Sequence, residues 1–471
     1  MRLILAAAVS LAAASAQTPP KHAVRPERLL IRNAMIVEGN GAPAAGPYNI
    51  AIESGKIRSI GRRAEGRFDA EIDASGKYVL PGFINLHGHT HDERAGKSMD
   101  VNYVLKLWLA SGITTVRDVG SDIDRTLAIR AKSAKGEIVA PRMFVYAMFG
   151  GAQTPDEARE RIREYKRKGC DGVKILGLHR DIMDAVLDEA TKLGLPVAHH
   201  AGVEETNAWD DIRLKTASIE HWYGIPDAAI ENGAQNFPPE YNYANEADRF
   251  RHAGRLWREA NWDRLMKVLD GMVAAGVAWD PTLAIYEANR DLLRAQSQPW
   301  FGKYLHPALK EFFEPNEQFH GSYFFGWTTA DEVFWKENYQ IWFRALREFA
   351  KRGGVIGVGE DAGFIYQMYG FAYLRGLELH QEAGFHPLQV VQQASLNGAR
   401  ILRKDDQLGR VRAGYPADLI VVNGNPLANL KVLNPAYENG GIQWTLRDGI
   451  PYHVPTLMKE IADIVTKARA K

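Results

Sequence analysis

The chain has 471 residues, enough for one large catalytic domain with a smaller companion. Hydrophobic residues make up 46% and charged residues 24%, an ordinary balance for a globular protein. A net charge of +1, with no long basic run, excludes a broad electrostatic partner such as nucleic acid or an anionic membrane surface.

The first residues read as a targeting segment. Arg2 gives a positive start, an apolar run follows, and Ala14-Ser15-Ala16 offers a small-x-small cleavage site before Gln17. The run is shorter than the roughly 20 residues that span a bilayer. The expectation is a signal peptide over 1–16, export to the periplasm or beyond, and no stable membrane insertion.

From 28 to 80, short β-rich runs are separated by Gly, Asn and Pro, and the same texture returns over 404–454. These two pieces predict one small β-sandwich assembled from both ends of the chain. A C-terminal helix is expected over 455–471. Between them, apolar strands alternate with helices, the pattern of parallel βα units. Thr154-Pro155-Asp156-Glu157 predicts a helix with a capping hydroxyl, an initial proline and a reciprocal glutamate, ending at Gly169. Strands are expected at 83–86, 114–119, 143–146, 173–176, 196–199, 218–220, 277–279 and 355–358. Together they predict an α/β fold, a (β/α)8 TIM barrel over 81–403. Two long aromatic-rich connections, 223–262 and 287–340, are expected over the barrel mouth. Trp300, Phe301, Phe324, Phe325, Trp327 and Trp335 suggest an apolar group there, although such aromatic residues also serve as helix packing.

Chemistry gathers at the strand ends. The first barrel strand closes in His87-Gly88-His89, and alternation sends both imidazoles to one side, where they can share a metal ion. His91 extends the alternation and leaves a shifted pair, His89 and His91, open. Lys174 lies within the apolar fourth strand, where an unpaired ammonium is costly, so it must pair, lose its proton or be modified. His199 and His200 end the fifth strand, His221 the sixth and Asp361 the eighth. Each alone reads equally well as scaffold; their convergence on one barrel mouth points to a metal site. Cys170, the single cysteine, reads as a buried inert thiol and excludes an intramolecular disulfide.

The phrases PGFINLHGHT, SGITTVRDVG, GCDGVKIL, SIEHW and GEDAG, with the tail GARILRKDDQLGRVRAGYPADLIVVNGNPL, resemble the amidohydrolase superfamily. The likeness is to its imidazolonepropionase and metal-dependent Xaa-Pro dipeptidase branch. It spans most of the chain and is weakest in the two long insertions. The resemblance implies two divalent metal ions of zinc type. His87, His89 and Asp361 would hold one, and His200 and His221 the other. Lys174, N6-carboxylated to a carbamate, would bridge them. The family's register favours His200 over His199.

The chemistry so implied is hydrolysis by metal-activated water with Asp361 as base. The expected bond is an amide-type C–N bond in a small-molecule or dipeptide-like substrate: a dipeptide, an N-acyl amino acid or a cyclic amide. Two alternatives stand beside it, an esterase or lactonase using the same site and a non-catalytic binding protein. A homo-oligomer is implied by family likeness only. Glu360 departs from the family's usual small hydroxyl residue; the expectation is a raised Asp361 pKa or a substrate contact. Arg117 could meet a substrate carboxylate or form a structural network with Asp118. His179 and Tyr369 are weaker substrate contacts.

Overall fold

A computed structural model describes residues 18–201, 205–231, 241–242, 245–316, 321, 323–437 and 441–470. The expected signal peptide, 1–16, lies outside the described residues.

The N-terminal piece begins with β1 (Arg28–Ile36), which takes in two of the expected short runs as one strand. β2 (Ala45–Glu53) pairs antiparallel with it, and β3 (Lys56–Gly61) pairs with β2. β4 (Ala70–Asp73) and β5 (Tyr78–Pro81) both run parallel to β1, one along each half.

The barrel follows at once with β6 (Phe83–Gly88). A short hairpin, β7 (Glu93–Arg94) with β8 (Lys97–Ser98), projects after it. Then come β9 (Ile113–Asp118), β10 (Arg142–Met148), β11 (Gly172–Ile175), β12 (Val197–His199), β13 (Ser218–Glu220) and β14 (Ala278–Asp280). β6 and β9 to β14 form one parallel sheet of seven strands in sequence order. The eighth expected strand is an extended segment with a single bridge, Trp279 to Ile356. It nevertheless closes the barrel. Gly357 N donates to Trp279 O at 2.9 Å on one side, and Leu86 N donates to Val358 O at 3.0 Å on the other. This is the (β/α)8 arrangement expected from the strand count.

Local signals explain the helices. Pro155–Lys168 starts at Thr154, whose hydroxyl accepts from Glu157 N at 3.2 Å, and ends at Gly169 in the left-handed region at φ 86°. The reciprocal bond differs from the expected capping box: Glu157 Oε2 accepts from Gln153 N, one residue before the cap.

β15 (Leu419–Asn423), β16 (Gly441–Arg447) and β17 (Ile450–His453) return to β5 and complete an eight-stranded sheet from both ends of the chain. The expected sandwich is thus one hydrogen-bonded sheet, branched at β1. Period-two alternation gives it two apolar faces. Val79, Leu419 and Val421 face its own core with Leu29 and Ile31. Leu80, Ile420 and Val422 face the barrel core. The last helix, Val454–Arg469, packs on the barrel helix Val101–Ala110. No described helix is long and apolar enough to cross a membrane.

Candidate functional site

Parallel strands place their C-terminal ends at one mouth, so residues ending β6, β11, β12 and β13 meet although they lie far apart in sequence. His87, His89, Lys174, His200, His221 and Asp361 all line one cavity of about 420 Å³ there. Asp361 is the hub. Its Oδ1 lies 3.0 Å from His89 Nε2 and 3.6 Å from His87 Nε2, and its Oδ2 lies 3.7 Å from His221 Nε2. The backbone turns sharply to bring it there, with φ of 48° at Asp361 and 61° at His221, uncommon for side-chain-bearing residues. Asp361 N also donates to His87 O at 2.9 Å, tying the two strand ends together.

The histidines are held from behind. His87 Nδ1 is 2.8 Å from Glu220 Oε2, and His221 Nδ1 is 2.6 Å from Thr282 Oγ1. Each ring therefore keeps Nε2 toward the cavity. The His200 ring is 4.4 Å from that of His221 and stacks on Tyr223 at 5.1 Å. His199 points elsewhere: its Nδ1 meets both carboxylate oxygens of Asp211, at 2.9 and 3.0 Å. The register that favoured His200 matches this placement. The shifted His89–His91 pair does not: His91 Nδ1 is 2.6 Å from Tyr369 Oη, and Arg94 also crowds its ring.

Burial and charge set the protonation states. Burial, reinforced by the Lys174 charge, lowers His87 to about 4. Burial likewise drives His200 and His221 well below the ordinary histidine range, so their rings are neutral donors. Burial works against ionisation of Asp361, but His87, the His89 hydrogen bond and His221 outweigh it and hold the carboxyl well below its usual range. Lys174 is buried and falls to about 8, because burial outweighs the opposing pull of Glu220, 4.0 Å away. Its Nζ has no hydrogen-bond partner among the described residues.

Four expected substrate contacts lie elsewhere. Arg117 is fully buried beneath the cavity, where Nη2 donates to Glu220 Oε1 and Oε2 at 2.8 and 2.7 Å. Its Nη1 donates to Ser218 Oγ at 3.0 Å. This network is structural, as one of the two expectations held, but its carboxylate is Glu220 and not Asp118. Glu360 turns into the core, accepting from Trp108 Nε1 and, at 2.7 Å, from Gly370 N. Burial raises it to about 8, so it is mostly neutral at pH 7, and it does not line the site cavity beside Asp361. The expected rise in the Asp361 pKa is overturned. His179 is 82% exposed and faces Glu205 on the surface, outside the cavity lining. Tyr369 is likewise engaged behind the site, by His91. Of these four only Arg117 lies in a strand, and its position there did not tell which partner its side chain would meet.

Sequence reasoning missed Glu220, Asp280, Tyr223, Arg249 and Tyr286. Asp280 ends β14 and obeys the same strand-end rule as the others, so a strand extended by one residue would have included it. Its carboxyl is pushed up by burial and by the Glu220 charge. Tyr223 and Tyr286 lie in turns, and Arg249 lies on a short helix within the insertion, so the strand-end rule places none of the three. The six aromatic residues expected at the mouth are not lining residues; those that line it include Tyr223, Phe250, Tyr286 and Phe364. Trp335 is instead fully buried and stacks on Tyr286 at 5.7 Å. Cys170 is buried and free, and burial raises its thiol.

Comparison with known proteins agrees with this architecture. The chain is 25% identical over 184 residues to a dihydroorotase of Aquifex aeolicus (strain VF5), covering 37% of this chain and 42% of the relative. It is 30% identical over 215 residues to a D-hydantoinase of Rhizobium radiobacter, covering 42% and 46% respectively. The chain thus spans less than half the length of these curated relatives. A Xaa-Pro dipeptidase solved with methionine in its active site shares the fold at a TM-score of 0.64 and 20% identity, over 90% of this chain and 100% of that one. Molinate hydrolase shares it at 0.63 and 17%, over 92% and 96%. Residues 78–246 and 343–442 match the amidohydrolase family. With the match covering more than half of its residues, the chain belongs to the amidohydrolase family.

Proposed function

We propose that this protein is a metal-dependent hydrolase that cleaves an amide-type C–N bond in a small, dipeptide-like substrate. The observation that carries the reading is the set of anchored imidazoles around Asp361. His87, His221 and Asp361 bring ligand atoms within 4.8 Å of one another, while Glu220 and Thr282 occupy the two Nδ1 atoms. Such backing partners are the usual companions of metal-bound histidine.

The donor set fits two divalent ions of zinc type, with nitrogen and carboxylate ligands. His87 and His89 would hold one with Asp361, and His200 and His221 the other. The orphaned Lys174 Nζ supports its carboxylation. The neutral fraction of that amine, enlarged because burial lowers its pKa to about 8, would add to carbon dioxide and lose a proton, turning a buried nitrogen into an anionic oxygen donor for the ions. When bound, the ions supply Lewis acidity, making water nucleophilic near neutral pH and polarising a carbonyl.

The chain's own groups do the rest. Asp361 is ionised and can accept a proton at its Oδ, then return it to the leaving nitrogen. Phe250, Ile285 and Phe364 line the cavity and limit water around the bond. A volume of about 420 Å³ suits a dipeptide, an N-acyl amino acid or a cyclic amide. The N-terminal apolar run and its small-residue site support export, which N-terminal sequencing of the secreted protein would test. A homo-oligomer is proposed on family likeness and is checked by light scattering.

The deciding experiment is metal content by plasma mass spectrometry, wild type beside Lys174→Ala, with matched amide and ester substrates. About two equivalents, falling sharply in the variant, together with amide cleavage, supports the reading. Absence of metal after reconstitution with bicarbonate overturns it and favours a binding protein. Cleavage of the ester alone moves the assignment to an esterase or lactonase.

A further inference from the structure

Arg249 is the cation of the outer cavity wall. It lies on the helix Glu246–Ala253, in the insertion where resemblance to the family is weakest, and it lines the same cavity as the six strand-end residues. Lys174 is the other cationic side chain of that lining, and it lies at the floor beside Glu220. The guanidinium carbon sits 5.6 Å from the Tyr223 ring, which in turn stacks on His200 at 5.1 Å. One tyrosine ring thus separates Arg249 from the proposed metal site.

The helix is held in place. Phe250 stacks on Tyr323 at 4.3 Å, and Trp335 Nε1 donates to Phe250 O at 2.9 Å. Arg251, two residues further on, pairs with Asp331 at 3.0 Å. The aromatic residues of the two insertions therefore build a wall that fixes Arg249 beside the site. Between Arg249 and the metal-type floor, the lining is largely apolar, including Leu176, Ile285, Phe364 and Ile365.

A guanidinium at the edge of an apolar cavity suits a carboxylate, which it can bind through two parallel hydrogen bonds. We propose that Arg249 is a specificity-determining residue that binds the free carboxylate of an N-acyl or N-aminoacyl amino acid whose side chain is apolar. This rests on the hydrolase reading above and narrows it, setting cyclic amides and uncharged amides aside. The scissile nitrogen belongs to the amino acid whose carboxylate Arg249 holds. Water adds to the acyl carbon, the C–N bond breaks, and the products are a carboxylic acid and a free amino acid.

The test uses the metal-loaded enzyme and a panel of N-acetyl and N-glycyl derivatives of phenylalanine and leucine, each beside its C-terminal carboxamide. Wild type is expected to prefer the free acids. Arg249→Met should cut kcat/KM for the acids about tenfold to a hundredfold and affect the carboxamides much less, so that the preference for the acids is lost. Arg249→Lys should restore part of the preference. Equal cleavage of acids and carboxamides by wild type, or a preference that survives in Arg249→Met, overturns the proposal. Metal content separates the two levels. A chain that binds its metals but cleaves none of the panel refutes the carboxylate assignment alone, whereas a chain that binds none refutes the hydrolase reading with it.

Discussion

Glu220 Oε2 accepts from His87 Nδ1 at 2.8 Å, and the same carboxylate receives both bonds from Arg117 Nη2. An ionised carboxylate cannot donate, so this contact fixes the proton of His87 on Nδ1 and leaves Nε2 with a lone pair facing Asp361. Arg117 and Lys174 hold Glu220 well below its ordinary pKa against the cost of burial. A buried ion pair beneath the barrel mouth therefore orients the first histidine of the site.

Removing one partner of that pair should be costly. Glu220→Gln leaves Arg117 with Asp280, 3.5 Å away, as its remaining buried carboxylate, so the loss should approach but not exceed the about 3–5 kcal/mol of an uncompensated buried charge. Chemical denaturation should show that loss. Metal affinity, read by competition with a chelator, should fall by about tenfold to a hundredfold. Unchanged affinity would remove the orienting role.

Gly359 should tolerate no side chain. A Cβ there would lie 2.4 Å from Asp280 Oδ2 and 2.6 Å from His87 Cβ, both inside the packed barrel wall. Gly359→Ala is expected to displace His87 or unseat the eighth segment. Lower metal content and a reduced Tm would report it. A variant with wild-type values in both would contradict this packing.

The two adjacent histidines should separate into different roles. His200→Ala should reduce bound metal while leaving stability near that of the metal-free wild type. Asp211→Ala, which strips His199 of its buried partner, should lower stability by about 1–3 kcal/mol and keep metal stoichiometry. The reverse pattern would exchange the assignment of the fifth-strand ligand.

Acid sensitivity should trace in part to His380, far from the metal-type groups. Burial lowers it to about 4, and Gln393 faces its Nδ1 at 2.8 Å. The unfolded chain then binds more protons than the folded one between about 4 and the ordinary 6.5. Its contribution is therefore full above pH 6.5 and is lost as pH falls toward 4, by at most about 3 kcal/mol. In chelated protein, His380→Gln should flatten the fall in Tm across that window. Parallel curves for the two proteins would reject the linkage.

The order of strands and helices, the sheet shared by the two ends and the strand-end residues His87, His89, Lys174, His200, His221 and Asp361 were legible in the sequence. The reason is periodicity. An apolar strand places its terminal residues at a fixed end of a parallel barrel, and alternation gives each a side. Tertiary structure decided what alternation cannot. It sent His199 to Asp211 and His200 to the cavity, buried Glu360 against Trp108, and put Arg117 under Glu220 instead of beside the cavity. It also carried Arg249, from an insertion without a readable period, to the cavity wall. Those outcomes depend on which side chains from distant strands and loops complete one another's hydrogen bonds and fill one another's space. That pairing exists only once the barrel has closed.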